Sequence, residues 1–287
     1  MKTSLCITFL VGISLNLYSQ APDTVFVKAE TQKIEKQSQE GYKIKPWIDI
    51  PLTVAVDAWS LYGMSVIYGR DPIPVSELLL LDKNNINKFD RPVADNYSTR
   101  AKAASDKFFY GSMPLPLLLL FDKKIRKDGL KVGLLYLETM GITGTIYTAS
   151  AMIANRYRPY AYNSDVDINI RQRGGARNSF FAGHVAVVAS STFFMAQVYT
   201  HYHPDMKGKW VLFALAGAAT ATTGYLRMKA GQHFTTDVIT GTIVGTLVGN
   251  LVPYFHRNKT FKNSKLVLLP NFQNGATGFT AFYKLGK

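Results

Sequence analysis

From residue 130 onward the chain carries four apolar stretches of helical length, about 130–154, 184–200, 210–226 and 233–252. Each is rich in Gly, Ala, Ser and Thr, and the last holds Gly241, Gly245 and Gly249 at four-residue spacing. On a helix that spacing makes a stripe along which a neighbouring backbone approaches closely, so tight helix packing is its expected use. Ahead of these stretches lie the apolar run Trp47 to Tyr68, a charged segment of helical spacing over 76–108, and a brief apolar run, Leu117 to Phe121, preceded by Pro114 and Pro116. The expected fold is all-α, a membrane-associated bundle of about six helices.

A bundle that alternates direction has a parity. Arg158 follows the first of the four stretches, His184 starts the second, Arg227 ends the third and His233 starts the fourth. All four residues therefore fall at one end. The loop 201–209 falls at the other, which removes His201 and His203 as partners.

The chemistry is densest in Arg227-Met-Lys-Ala-Gly-Gln-His233-Phe-Thr-Thr-Asp237. With His233 opening a helix, Asp237 sits one turn on and accepts its ring N–H, which fixes the tautomer and aims the other nitrogen outward. The helix N-terminus favours an anion there, and Arg227 adds a planar cation suited to phosphate. A His–Asp pair at this spacing is also a common surface or core pair. Two further clusters, Arg156-Tyr-Arg158-Pro159 and Ser179-Phe-Phe-Ala-Gly183-His184, shift the weight toward a site.

These blocks resemble the three signatures of the type 2 phosphatidic acid phosphatase superfamily, which includes vanadium haloperoxidases and soluble bacterial acid phosphatases. The resemblance covers roughly 85–255. The family pattern is Lys, six residues, Arg-Pro; then Pro-Ser-Gly-His; then Ser-Arg, five residues, His, three residues, Asp. Here Ala151 stands for the Lys, Phe181 and Ala182 for the Pro and Ser, and Leu226 for the Ser before Arg227. Two phosphate-contacting groups are thereby lost, and Arg156 or Lys229 is the candidate for the missing charge.

The resemblance implies a phosphatase in which His233 attacks phosphorus, forming a phosphohistidine, and Asp237 orients it. His184 protonates the leaving alcohol and later activates water. Arg158 and Arg227, with Gly183 and Arg156, bind the phosphoryl group, and no metal or other cofactor is implied. The implied substrate is a phosphomonoester or pyrophosphate, foremost of a lipid. A soluble acid phosphatase, a vanadate-dependent haloperoxidase and a non-catalytic anion-binding envelope protein are the alternatives.

The remaining segments frame this reading. Residues 1–20 read as a signal peptide, with Lys2 before an apolar run too short to span comfortably. The sole cysteine, Cys6, lies inside it, so disulfides and thiolate metal sites are not expected in a processed chain. Residues 21–45 read as a polar arm, 46–258 as the helical domain, and 259–287 as a tail folding into a small β-hairpin around Asn274-Gly275. The formal charge of +14 points to an acidic partner. For an exported chain that is the bacterial membrane or phosphorylated envelope material rather than nucleic acid. Asp90-Arg91 and Ser105-Asp106 read as helix caps and salt-bridged faces. If only 47–68 crosses the membrane ahead of residue 130, an exported N-terminus puts the site on the periplasmic side. Oligomeric state leaves no mark in the sequence.

Overall fold

The computed structural model describes residues 41–257 and two later strands, 266–273 and 276–283. The expected leader over 1–20 and all but the last residues of the polar arm lie outside the described residues. Six long helices make up the described bundle: α1 (Pro46–Tyr68), α2 (Thr99–Ser112), α3 (Gly129–Ala154), α4 (Gly183–Tyr202), α5 (Trp210–Lys229) and α6 (Thr235–Phe255). The strands β1 (Leu266–Gln273) and β2 (Ala276–Tyr283) pair antiparallel, Leu266 opposite Tyr283 and Gln273 opposite Ala276.

Local chemistry sets the helix ends. Pro46 opens α1, where a missing N–H costs nothing, and the Lys45 N–H donates to Asp49 Oδ2 at 2.5 Å. Ser98 caps α2 by accepting from the Ala101 N–H at 3.2 Å. The last carbonyls of α3, at Ala151 and Met152, accept from Arg70 Nη2 at 3.1 and 3.4 Å. Gly231, at φ 68°, takes the left-handed step that ends α5. A side chain there would drive into the Asn96 carbonyl, so the turn between Arg227 and His233 requires glycine. Phe234 is extended, so α6 begins at Thr235 and His233 precedes it, contrary to the expected start at 233.

The glycine stripe does what its spacing demands. A methyl on Gly241 or Gly249 would come within 2.6 Å of the Ala182 or Ser190 carbonyl, and one on Gly245 would press on Ala186. Helix α6 thus lies directly against the α4 backbone.

Helices α1 and α3 meet through Gly141 with Asp57, Gly144 with Ser60 and Thr148 with Gly63. These pairs advance together along both chains, so the two helices run parallel. The chain must therefore return between them. Helix α2 and the 3₁₀ stretch Leu115–Phe121 make that return. Asp106 lies beside Arg227, Met113 accepts from the Tyr136 hydroxyl at 2.7 Å, and Leu119 joins the core with Phe194, Val198 and Tyr202. Fourteen α-helical and seven 3₁₀ residues span about 35 Å, the length of the bundle. The short run before residue 122 thus completes a return along the bundle that α2 begins. Residues 41–45 lie at the end remote from Arg158 and His184.

Helices α1 and α6 are each long and apolar enough to cross a membrane. On α1, Trp47 is 93% exposed and Leu61 73%, a degree of apolar exposure that calls for a nonaqueous partner. The chain is membrane-associated on this ground.

Candidate active site

His233 is buried in the loop between α5 and α6, with Nδ1 2.7 Å from the Ser179 carbonyl oxygen. A carbonyl only accepts, so Nδ1 carries the proton and Nε2 presents its lone pair. The sequence expectation gave this partner role to Asp237, and the structure corrects it. Because His233 precedes the helix, the four-residue relation does not bring the two side chains together. Asp237 instead caps α6: Oδ2 accepts from the Phe234 N–H at 2.9 Å and the Ser179 hydroxyl at 2.6 Å. Ser179 thus links the two, its carbonyl holding the imidazole and its hydroxyl held by Asp237.

Arg156 also departs from expectation. Its guanidinium donates to Asp237 Oδ1 at 2.5 Å and Asp90 Oδ2 at 2.7 Å, and lies 4.5 Å over the Phe234 ring. A cation bound by two carboxylates buttresses the site and has little left for phosphate. Asp90, expected as a cap or ion-pair residue, is fully buried and accepts from the Thr236 N–H in the first turn of α6 at 2.9 Å and from the Thr236 hydroxyl at 2.7 Å. Lys229 reaches over Tyr225, 5.9 Å from its ring.

Arg158 and Arg227 converge on Gln232. Its Oε1 accepts from Arg158 Nη1 and, at 3.5 Å, from Arg227 Nη2. Both arginines are buried, Arg227 at 2% exposure, and both leave Nε–H without an acceptor among the described residues. One carboxylate, Asp106 at 3.1 Å from Arg227 Nη1, accompanies the shared neutral oxygen, so the two buried cations remain under-compensated without a further anion.

His184, the second residue of α4, stands at the positive end of that helix. Its Nε2 is 3.3 Å from Asp106 Oδ1, and its ring stacks on Phe109 with centroids 4.1 Å apart. A methyl on Gly183 would come 2.9 Å from the Tyr147 ring, so glycine is needed where the helix start meets α3. Burial first, then the Arg227 charge, pushes the His184 imidazole down to about 4. Burial, then Arg158 and Arg227, hold His233 well below the usual histidine range. Both rings are neutral at pH 7.

The substituted positions Ala151, Phe181 and Ala182 are closed by packing. Ala151 is buried with Ile67, Tyr147 and Phe181, and Ala182 is fully buried beside Gly241. Sequence reasoning missed Asp106 and Gln232. Asp106 carries no spacing signal, and Gln232 is conspicuous only as the neighbour of His233.

Residues 132–261 match the PAP2 superfamily. A transmembrane PAP2-type phosphatidylglycerolphosphate phosphatase from Bacillus subtilis is similar at 20% identity, over 73% of this chain and 98% of that one, with TM-score 0.47. LpxE of Aquifex aeolicus is similar at 22% identity, over 56% of this chain and 90% of that one, with TM-score 0.39. No curated protein matches the chain. The matched segment contains Arg158, Gly183, His184, Arg227, His233 and Asp237, and it is this segment of the chain that is similar to the PAP2 superfamily.

Proposed function

We propose that the chain is a metal-independent phosphatase acting on a lipid phosphate, with a phosphohistidine intermediate. The observation that carries this reading is the pair of buried arginines with unpaired Nε–H groups beside two neutral histidines. Arg158 and Arg227 bind the phosphoryl oxygens and match their trigonal spread in the transition state. The His233 Nε2 lone pair attacks phosphorus as the bond to the leaving alkoxide breaks, and the alkoxide oxygen takes a proton from His184. Water then attacks the phosphohistidine, its proton passes to His184, and phosphate leaves with His233 restored. Burial and then the Arg227 and Arg158 charges keep His184 deprotonated, and entry of a phosphate dianion offsets the charges, so the substrate itself favours the acid form.

A lipid substrate is supported by the exposed apolar surface of α1 and by the membrane-length helices α1 and α6. Phosphate release from phosphatidate, phosphatidylglycerol phosphate, an isoprenoid pyrophosphate, phosphorylated lipid A and an aryl phosphate, without added metal, tests the activity. Release that disappears in His233→Ala supports the mechanism. Vanadate binding without release from any substrate overturns it in favour of an anion-binding protein.

Residues 41–45 and the site lie at opposite ends of the bundle, so in a bundle crossing the bilayer an exported N-terminus puts the site on the inner face, and a periplasmic site requires residues 41–45 on the inner face. In a Cys6→Ser background, a thiol at Lys88 then labels from outside and one at Lys127 does not. The reverse pattern puts the site inside.

A further inference from the structure

Asp106 belongs to none of the three sequence blocks and precedes the segment that matches the family. Helix α2 nevertheless delivers three side chains to the site. The Ser105 hydroxyl accepts from Arg227 Nη1 at 3.4 Å, Asp106 Oδ1 lies 3.1 Å from the same nitrogen and 3.3 Å from His184 Nε2, and Phe109 covers the His184 ring. The outer oxygen of Asp106 accepts from Lys102 Nζ at 3.0 Å.

We propose that Asp106 is the positioning carboxylate of His184, holding Nε2 so that Nδ1 serves the leaving oxygen as proton donor. This rests on the phosphatase reading above. A carboxylate accepts only, so Nε2 carries its proton toward Asp106 and the opposite nitrogen is the one that exchanges a proton with substrate. Phe109 fixes the ring plane, and Asp106 fixes its rotation. The neighbours of His184 otherwise include two guanidinium groups that disfavour its charged form. Asp106 is the nearby anion that counters them, and its own carboxyl is held well below the usual range, first by the hydrogen bond to His184. Arg227 ties Asp106 to the cradle, which couples phosphate binding to the acid.

The leaving group distinguishes this role from a structural one. A nitrophenolate departs without help from an acid, whereas a lipid alkoxide needs the proton. Asp106→Asn, of the same shape, is expected to slow phosphatidate hydrolysis by about tenfold or more in kcat and p-nitrophenyl phosphate hydrolysis by a clearly smaller factor, any effect through Arg227 being common to both substrates. Asp106→Glu is expected to recover part of the loss on phosphatidate. Equal losses on both substrates, or no loss on either, overturn the proposal while the wild-type activity still stands. A wild-type protein that releases phosphate from neither substrate overturns the phosphatase reading, and this inference with it.

Discussion

At the site end of the bundle, His184 and His233 stand beside the guanidinium groups of Arg158 and Arg227. At the remote end, His256 lies 3.6 Å from Asp49 Oδ1 and 3.7 Å from Glu138 Oε2, and His203 lies 3.0 Å from Asp122 Oδ2. The residue types are the same and the consequences are opposed. Histidines among buried cations are held neutral, with lone pairs available and an unmet demand for an anion nearby. His203 and His256 instead face carboxylates, which repel a phosphate. The charge of the neighbours, more than the presence of histidine, decides which end of the bundle performs chemistry.

The largest expected effect comes from removing that charge. Arg227→Met is expected to lower kcat/KM by about a thousandfold, the scale of losing a preorganised donor to a developing anion, and steady-state kinetics with the best lipid substrate measures it. A loss below about tenfold would mean that the arginine pair does not define the site. Asp237→Asn is expected to follow. It keeps the Phe234 cap in part but leaves Arg156 with one carboxylate and loosens Ser179, for a loss of about tenfold to a hundredfold in kcat, with a lower unfolding midpoint.

Stability against pH sharpens the same contrast. His184 and His233 are depressed in the folded protein, so the unfolded chain binds more protons below the ordinary histidine value of about 6.5. Their neutrality contributes fully above that pH and is lost as pH falls toward about 4 for His184 and further for His233. The unfolding midpoint in detergent is expected to drop between pH 7 and 5, and to drop less in His233→Gln. An equal slope in the variant would show that His233 is not held neutral by its surroundings. The smallest effect belongs to the remote end. His256→Gln is expected to leave kcat/KM within about twofold, because His256 follows the C-terminal end of α6 while His233 precedes its start; a hundredfold loss would erase the distinction between the ends.

Apolar periodicity determined much of this from the chain alone. Stretches of helical length fix the number of long helices, and their alternation brings Arg158, His184, Arg227 and His233 to one end without any knowledge of contacts. The glycine spacing in α6 foretold the close approach of a neighbouring backbone, which the structure identifies as α4, because a stripe of absent side chains has one economical use. These are properties of period and parity, which need only the local geometry of a helix.

Partner choice was beyond that reach. Whether His233 meets Asp237 or the Ser179 carbonyl turns on two residues of helix start, set by the extended backbone at Phe234. That Asp90 and Asp106 belong to the site, and that Arg156 is engaged between carboxylates, depends on where the segment before α3 returns along the bundle. Sequence determined which groups share an end; tertiary structure decided which of them touch. Hydrogen bonds and ion pairs are settled within about 3 Å, and residues distant in the chain reach that range only through packing.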